Sequence, residues 1–317
     1  MFFMSWIFIL SILLNIYSFN MTFSSMNWFS LWFSLEINMI SFIPLMFNKN
    51  YSSSTSMMKY FIIQVIASNI IMFSFMFSNK NFLFEIQNLF LMFSLLMKMG
   101  ASPFHFWFPQ ISISISWMPS FFLLCTTQKL IPLYIMNNLY LNSYFLLFCY
   151  MNMFFGSLMI FFQSSMKKII AYSSISHISW ILSIILMNNN WLFYWIMYSC
   201  ILLSGMTSFQ MFNIKSINQM LFMEKMMSVF FIIFFLSMSG IPPLTGFLMK
   251  IFVLDLINNN IILSLFLIFS SFMNSFFYLR SCYMIFIKNF KKKKLINNNN
   301  FMLFNLMMIL MMPFIFF

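Results

Sequence analysis

Apolar runs of about 18 residues or more recur from one end of this 317-residue chain to the other. A run of that length crosses the ~30 Å hydrocarbon core of a bilayer as a helix. In lipid, only helices and closed barrels satisfy every backbone N–H and C=O. Barrel strands would give short segments alternating apolar and polar residues, and the chain has none. The sequence therefore predicts an all-α polytopic membrane protein. Composition agrees, because 62% of the residues are hydrophobic and only 6% charged. A soluble domain of this size could not clothe itself in so little polar surface.

The runs place helices at 2–19, 23–47, 57–78, 84–110, 117–137, 144–163, 169–187, 191–212, 226–257, 260–287 and 301–317, about eleven in all. The first has no basic segment or small-residue cleavage site before Asn20 and reads as a retained span, not a signal peptide. Two runs, 84–110 and 226–257, exceed the ~20 residues a bilayer needs and carry Gly and Pro inside. They read as discontinuous helices, broken near Ser102-Pro103 and from Gly240 to Gly246. The broken helix is fourth of five from the start, and again fourth of five from residue 144. Five is odd, so the second set enters from the opposite side. The expected organisation is one transmembrane domain over 1–317, with inverted five-helix halves at 1–143 and 144–287. A basic loop and last helix follow at 288–317. Paired broken helices in inverted halves point to a transport site near the midplane.

A net charge of +12 would suggest nucleic acid in a soluble protein. Here the charge sits in loops, where it sets topology, and no nucleic-acid partner is expected. Lys49, Lys59, Lys167, Lys168, Lys215, Lys225, Lys288 and Lys291 to Lys294 fall on one side, and Lys80 alone on the other. Positively charged loops stay inside. The N-terminus is therefore expected on the matrix or cytoplasmic side and the C-terminus opposite. The KNFKKKK run reads as a topology anchor, with contact to anionic lipid as a second reading. Abundant Phe (50) and Met (36) beside scarce Gly (5) and Pro (8) are what an extremely A+T-rich gene produces, as in an organelle genome.

Few charges lie within spans: Glu36, Lys98, Lys129 and Lys250, with Asp255 and Arg280 nearer helix ends. Each central charge costs about 2.5–3.5 kcal/mol, so the four together cost roughly 10 kcal/mol. Ion pairing could justify them, but one carboxylate cannot neutralise three lysines. Apolar surroundings make an ammonium costly, so a buried lysine can exchange a proton with a partner. The plainer alternative is that the lysines snorkel to the interface. His177, among Ser173, Ser174 and Ser176, either relays a proton or is an interior histidine bonded to a serine or carbonyl. His105, just past the first break, either lies on the path or caps freed carbonyls. The breaks bring polar backbone, which must be satisfied by protein or water, to the level of Lys98 and Lys250. Cys125, Cys149, Cys200 and Cys282 are scattered singly, and no nucleotide fingerprint, cysteine cluster or zinc-type grouping is present. No cofactor or metal, and no redox chemistry, is expected in this chain.

Six segments carry a family resemblance: SLEINMISFIPL (34–45), KYFIIQVIAS (59–68), KMGASPFHFWFP (98–109), TTQKLIP (126–132), KKIIAYSSISHISW (167–180) and SGIPPLTGFLMK (239–250). In order and spacing they resemble subunit 2 of mitochondrial NADH:ubiquinone oxidoreductase, a family of antiporter-like core membrane subunits of respiratory complex I. The GxPPxxGFxxK element alone is shared with sister subunits and cation antiporters. The short eleven-span length matches the animal form, which lacks three N-terminal helices of bacterial counterparts. The resemblance implies a proton-conducting subunit of an NADH:ubiquinone reductase in the mitochondrial inner membrane. Its partners would be the other membrane-arm subunits and lipid. Flavin, iron–sulfur clusters, NADH and ubiquinone would belong to elsewhere in the complex. Glu36 and Lys98 match the family's charged pair, Lys129 its central lysine, and Lys250 the lysine beyond the second broken helix. His177 matches a position linking the half-channels. Ser102 departs from a more usual small apolar residue, and Asp255 lies outside the pattern. A stand-alone cation/proton antiporter is the alternative, and a purely architectural subunit a third reading.

Overall fold

The computed structural model describes residues 2–48, 51–75, 84–125, 127–137, 139, 143–187, 189–222, 225–242, 244–257 and 260–287. Two compact units divide it, Met1–Leu141 and Asn142–Phe317. The first contains α1 (Phe2–Ser24), α2 (Trp28–Met46), α3 (Tyr51–Phe75), α4 (Phe84–Met99), α5 (Trp107–Ser114), α6 (Trp117–Leu124) and α7 (Thr127–Asn137). The second contains α8 (Ser143–Met159), α9 (Met166–Leu186), α10 (Leu192–Met211), α11 (Lys225–Ser239), α12 (Thr245–Leu256) and α13 (Ile261–Ile287). Seven of these helices are long and apolar enough to cross a membrane: α1 to α3, α8 to α10 and α13, with a 3₁₀ turn extending α8 to Phe162. Among the described residues the only extended pairing is an isolated bridge between Ser165 and Ser216.

Small polar residues are buried among the apolar core side chains, while large apolar side chains cover much of the outside, as suits lipid. On α1, Ser11, Asn15, Ser18 and Thr22 recur at steps of three or four and are buried. Trp6, Leu10, Leu13 and Tyr17 are exposed on the other faces. Each buried polar group bonds a carbonyl of its own helix, as Ser18 does to Asn15 O at 2.7 Å and Asn15 to Ser11 O at 2.8 Å. Without solvent to satisfy a hydroxyl, this back-bonding makes small polar residues compatible with close helix packing. On α3, Ser56, Ser68 and Ser74 are likewise buried and bond carbonyls three residues earlier in the same helix. In the second unit α9 is the central helix, nearly all of it buried, with α8, α12 and α13 packed on it.

Several expected boundaries move for this reason. The first helix continues past residue 19 to Ser24, because Thr22 bonds Phe19 O and Ser24 bonds Asn20 O. The second then starts at Trp28, not residue 23. The third starts at Tyr51, not 57, its Ser54, Thr55 and Ser56 hydroxyls turned back onto carbonyls three residues earlier. The expected continuous span 117–137 divides into α6 and α7. The first ends at Leu124 and the second begins at Thr127, with no Gly or Pro between them in the sequence. The last helix, at 301–317, and the basic run before it lie outside the described residues.

Candidate functional site

Both expected breaks end a helix by the same hydrogen-bond pattern. At the first, Gly100 has a φ of 68°. Its N–H bonds Met97 O at 3.2 Å, and the Ala101 N–H bonds Leu96 O at 3.0 Å. At the second, Gly240 has a φ of 80°. Its N–H bonds Ser237 O at 3.2 Å, and the Ile241 N–H bonds Leu236 O at 3.3 Å. A 6→1 bond enclosing a 5→2 bond, closed by a residue in the left-handed region, is the Schellman cap, and glycine enters that region without a Cβ penalty. The first break was expected at Ser102-Pro103. Glycine ends α4 two residues earlier, and Pro103 only lies within the connection.

The cap leaves carbonyls of the last turn to be satisfied, and each break supplies a different donor. In the first unit the Lys98 carbonyl accepts the Gln64 side-chain amide at 3.2 Å. In the second the Ser239 carbonyl accepts the Lys250 ammonium at 2.6 Å. Lys98 lies in the last turn of α4, and the amine of Lys250 docks at the last residue of α11. Both lysines thus meet the partial negative charge of a helix C-terminus, worth typically 0.3–1 kcal/mol and up to about 2 kcal/mol where partly buried. That offsets part of the cost of placing them in apolar surroundings.

Lys98 has a second partner, because its Nζ lies 3.9 Å from Glu36 Oε1, with exposures of 3% and 17%. At ~4 Å and an effective dielectric of ~20 the attraction is about 4 kcal/mol before the cost of desolvating both ions. One carboxylate therefore accounts for Lys98 and leaves Lys129 and Lys250 without an acid among the described residues. Lys129 sits in the first turn of α7, the helix end that disfavours a cation, and is buried. Its Nζ has no hydrogen-bond acceptor among the described residues and lies 4.7 Å from the centre of the Phe108 ring. A desolvated cation over an aromatic face gains about 2 kcal/mol. A Cβ built on Gly100 would come within 2.8 Å of Phe108, so the absence of a side chain at the first break is what seats that ring.

His177 is buried in the middle of α9, its Nδ1 2.7 Å from the Tyr194 hydroxyl and its ring 4.5 Å from that of Tyr198. On its flank the Asn274 amide donates to Ser176 Oγ at 2.7 Å. The sequence reading offered a serine or carbonyl partner for His177 and missed Tyr194, along with Gln64 and Phe108. His105 is buried, stacked on Phe106 at 4.4 Å, with its Nδ1 3.5 Å from Ser102 Oγ. Asp255 is exposed near the end of α12.

The structure brings Glu36 and Lys98 into contact. It sets Lys98 and Lys129 on the packed helices α4 and α7, and His177 and Lys250 on the packed helices α9 and α12. Among the described residues no hydrogen bond or ion pair joins the members of the last two pairs. Nor do the described residues contain a group of three or more His, Cys, Asp or Glu side chains able to hold a metal.

Residues 25–277 match the family model described as NADH:quinone oxidoreductase/Mrp antiporter, transmembrane. The chain belongs to this family. Within it, NADH-ubiquinone oxidoreductase chain 2 of Anopheles gambiae is 36% identical over 286 residues, covering 86% of this chain and 83% of that one. The protein of the same name from Aedes aegypti is 37% identical over 310 residues, covering 93% and 90%. Among solved structures, respiratory complex I from Thermus thermophilus superposes with a TM-score of 0.85 at 17% identity, covering 95% of this chain and 76% of that one. At that identity the superposition speaks for the fold. The six segments that carried the resemblance run from residue 34 to 250, inside the matched range.

Proposed function

We propose that this chain is a membrane-arm subunit of respiratory complex I that conducts protons across the mitochondrial inner membrane, with its N-terminus on the matrix side. Flanking membrane subunits and lipid cover its sides. Electron transfer from NADH to ubiquinone, with its flavin and iron–sulfur clusters, belongs to other subunits. The single observation that carries the reading is the pair of Schellman-capped breaks, each seating a buried lysine at a helix C-terminus, in a chain of this family. A break of the same build in each unit is also what supports reading the two units as inverted five-helix repeats.

The relay we assign has stations in both units: Glu36, Lys98 and Lys129 in the first, His177 and Lys250 in the second. Glu36 controls Lys98. With the carboxylate 3.9 Å away the ammonium is paired, and with the carboxylate withdrawn it stands alone in apolar surroundings. Giving up its proton then relieves that cost. Among the described residues Lys129 has neither carboxylate nor carbonyl to anchor it, so its charge follows whatever approaches from α4. At His177 the Tyr194 hydroxyl engages Nδ1 and holds the imidazole in place for proton exchange. Electron transfer elsewhere would drive these changes electrostatically.

The test is Lys129→Met in an assembled complex reconstituted in sealed vesicles, since methionine keeps much of the side-chain volume. Proton translocation per electron pair is expected to fall, with NADH oxidation by an artificial acceptor unchanged. An unaltered proton-to-electron ratio in that variant overturns the relay.

A further inference from the structure

The sequence contains a single arginine, and the relay does not use it. Arg280 lies near the end of α13 and opens onto a cavity of about 370 Å³ at one end of the second unit. The walls come from three stretches far apart in sequence. Phe161 to Ser164 follow α8, Ser216 to Asn218 precede α11, and Phe277, Ser281 and Met284 belong to α13. The bridge between Ser165 and Ser216 holds the first two together, with the Met166 N–H on Lys215 O at 3.1 Å and the Ile217 N–H on Ser164 O at 3.5 Å. The cavity is therefore framed by backbone hydrogen bonds and not merely by side chains.

Its chemistry is divided. Arg280, Gln163, Ser164 and Asn218 make one polar side. None of these four side chains has a hydrogen-bond partner among the described residues, and no carboxylate among them lines the cavity. Lys215 and Lys167 lie on the two stretches that the bridge joins. The other side is aromatic and continues onto exposed surface, with Phe162 82% and Phe276 56% exposed and Phe161 5.9 Å from Phe276. A guanidinium with unpaired donors suits a phosphate oxygen pair, which it can bond bidentately. An apolar wall running down from it suits an acyl chain. A free phosphate would use the first feature and leave the second without purpose.

We infer that this cavity binds the phosphodiester head group of an anionic phospholipid, held by Arg280, Gln163, Ser164 and Asn218, with an acyl chain along Phe161 and Phe276. The site is separate from the relay, and it does not depend on the proton path being correct.

The test uses the full chain in its complex, purified and placed in nanodiscs of phosphatidylcholine with a small fraction of a photoactivatable phosphatidylglycerol. Cross-links are expected on peptides covering 161–164, 216–218 and the end of α13, and an equal fraction of photoactivatable phosphatidylcholine should label them far less. Arg280→Gln is expected to reduce labelling about five-fold, the scale set by one basic side chain at a membrane surface, while Arg280→Lys retains most of it. Arg280 is exposed, so neither variant removes packing from the core. Equal labelling by both lipids, or undiminished labelling in Arg280→Gln, overturns the assignment. Displacement of the label by millimolar inorganic phosphate also overturns it, by making free phosphate the ligand.

Discussion

Tyr194 shows what a single side chain contributes here. Its hydroxyl lies 2.7 Å from His177 Nδ1, and its ring stacks parallel to Trp180 at 6.4 Å. The Tyr194→Phe variant keeps the stacking and removes the hydroxyl. We expect the subunit to lose about 1 kcal/mol of stability, the typical net worth of a hydrogen bond. Proton translocation per electron pair should fall, because the imidazole loses the hydrogen bond that orients its ring. Thermal unfolding of the complex and pumping by vesicles measure the two effects separately. A normal pumping ratio with a lowered unfolding temperature would mean that Tyr194 is packing alone. His177 was legible in the sequence because an ionisable group in a span is expensive. Its partner was not, since nothing in the one-dimensional pattern says which of several tyrosines faces it. Glu36 and Lys98 were legible for the same reason as His177, and the distance between them was not. Phe108, under Lys129, was hidden among 50 phenylalanines.

Broken helices are the elements that position the lysines, and glycine decides where they break. Gly240 combines a left-handed backbone with the side chain of Lys250, whose Nζ would lie 2.9 Å from a Cβ built there. The Gly240→Ala variant should therefore cost about 1–2 kcal/mol for the backbone alone. It should also push the amine off Ser239 O. We expect less assembled complex at a given temperature, and a pumping defect larger than in an alanine variant at an exposed helical site. Wild-type stability and pumping would show that the cap does not hold the lysine. Both breaks could be read from the sequence because each couples extra length to Gly and Pro. The divide between α6 and α7 could not, since Cys125-Thr126-Thr127 carries neither residue. Nor could the true starts of α2 and α3, because serine and threonine resemble loop in composition yet satisfy themselves inside a helix.

For the molecule as a whole, sidedness is the property that connects structure to direction of transport. In the second unit, residues 163–164 and 216–218 line one cavity together with Arg280, Ser281 and Met284 of α13, so two connections far apart in sequence share one end. These are the connections whose lysines suggested the matrix side. Cysteines introduced at Ser164 and at Lys215 should react with a membrane-impermeant maleimide from the matrix face only, and one at Asn190 from the opposite face only. Reaction of Ser164 and Lys215 from different faces would break the topology. The two breaks carry one more consequence at this scale. They are alike in backbone and unlike in electrical character. At α4 the spare carbonyl is held by Gln64, a neutral amide that stays the same whatever Lys98 does. At α11 it is held by Lys250 itself, through a charge-assisted bond roughly twice as strong as its neutral counterpart. The end of α4 is thus a fixed stop, whereas the end of α11 is a latch that would loosen if its own lysine lost its charge.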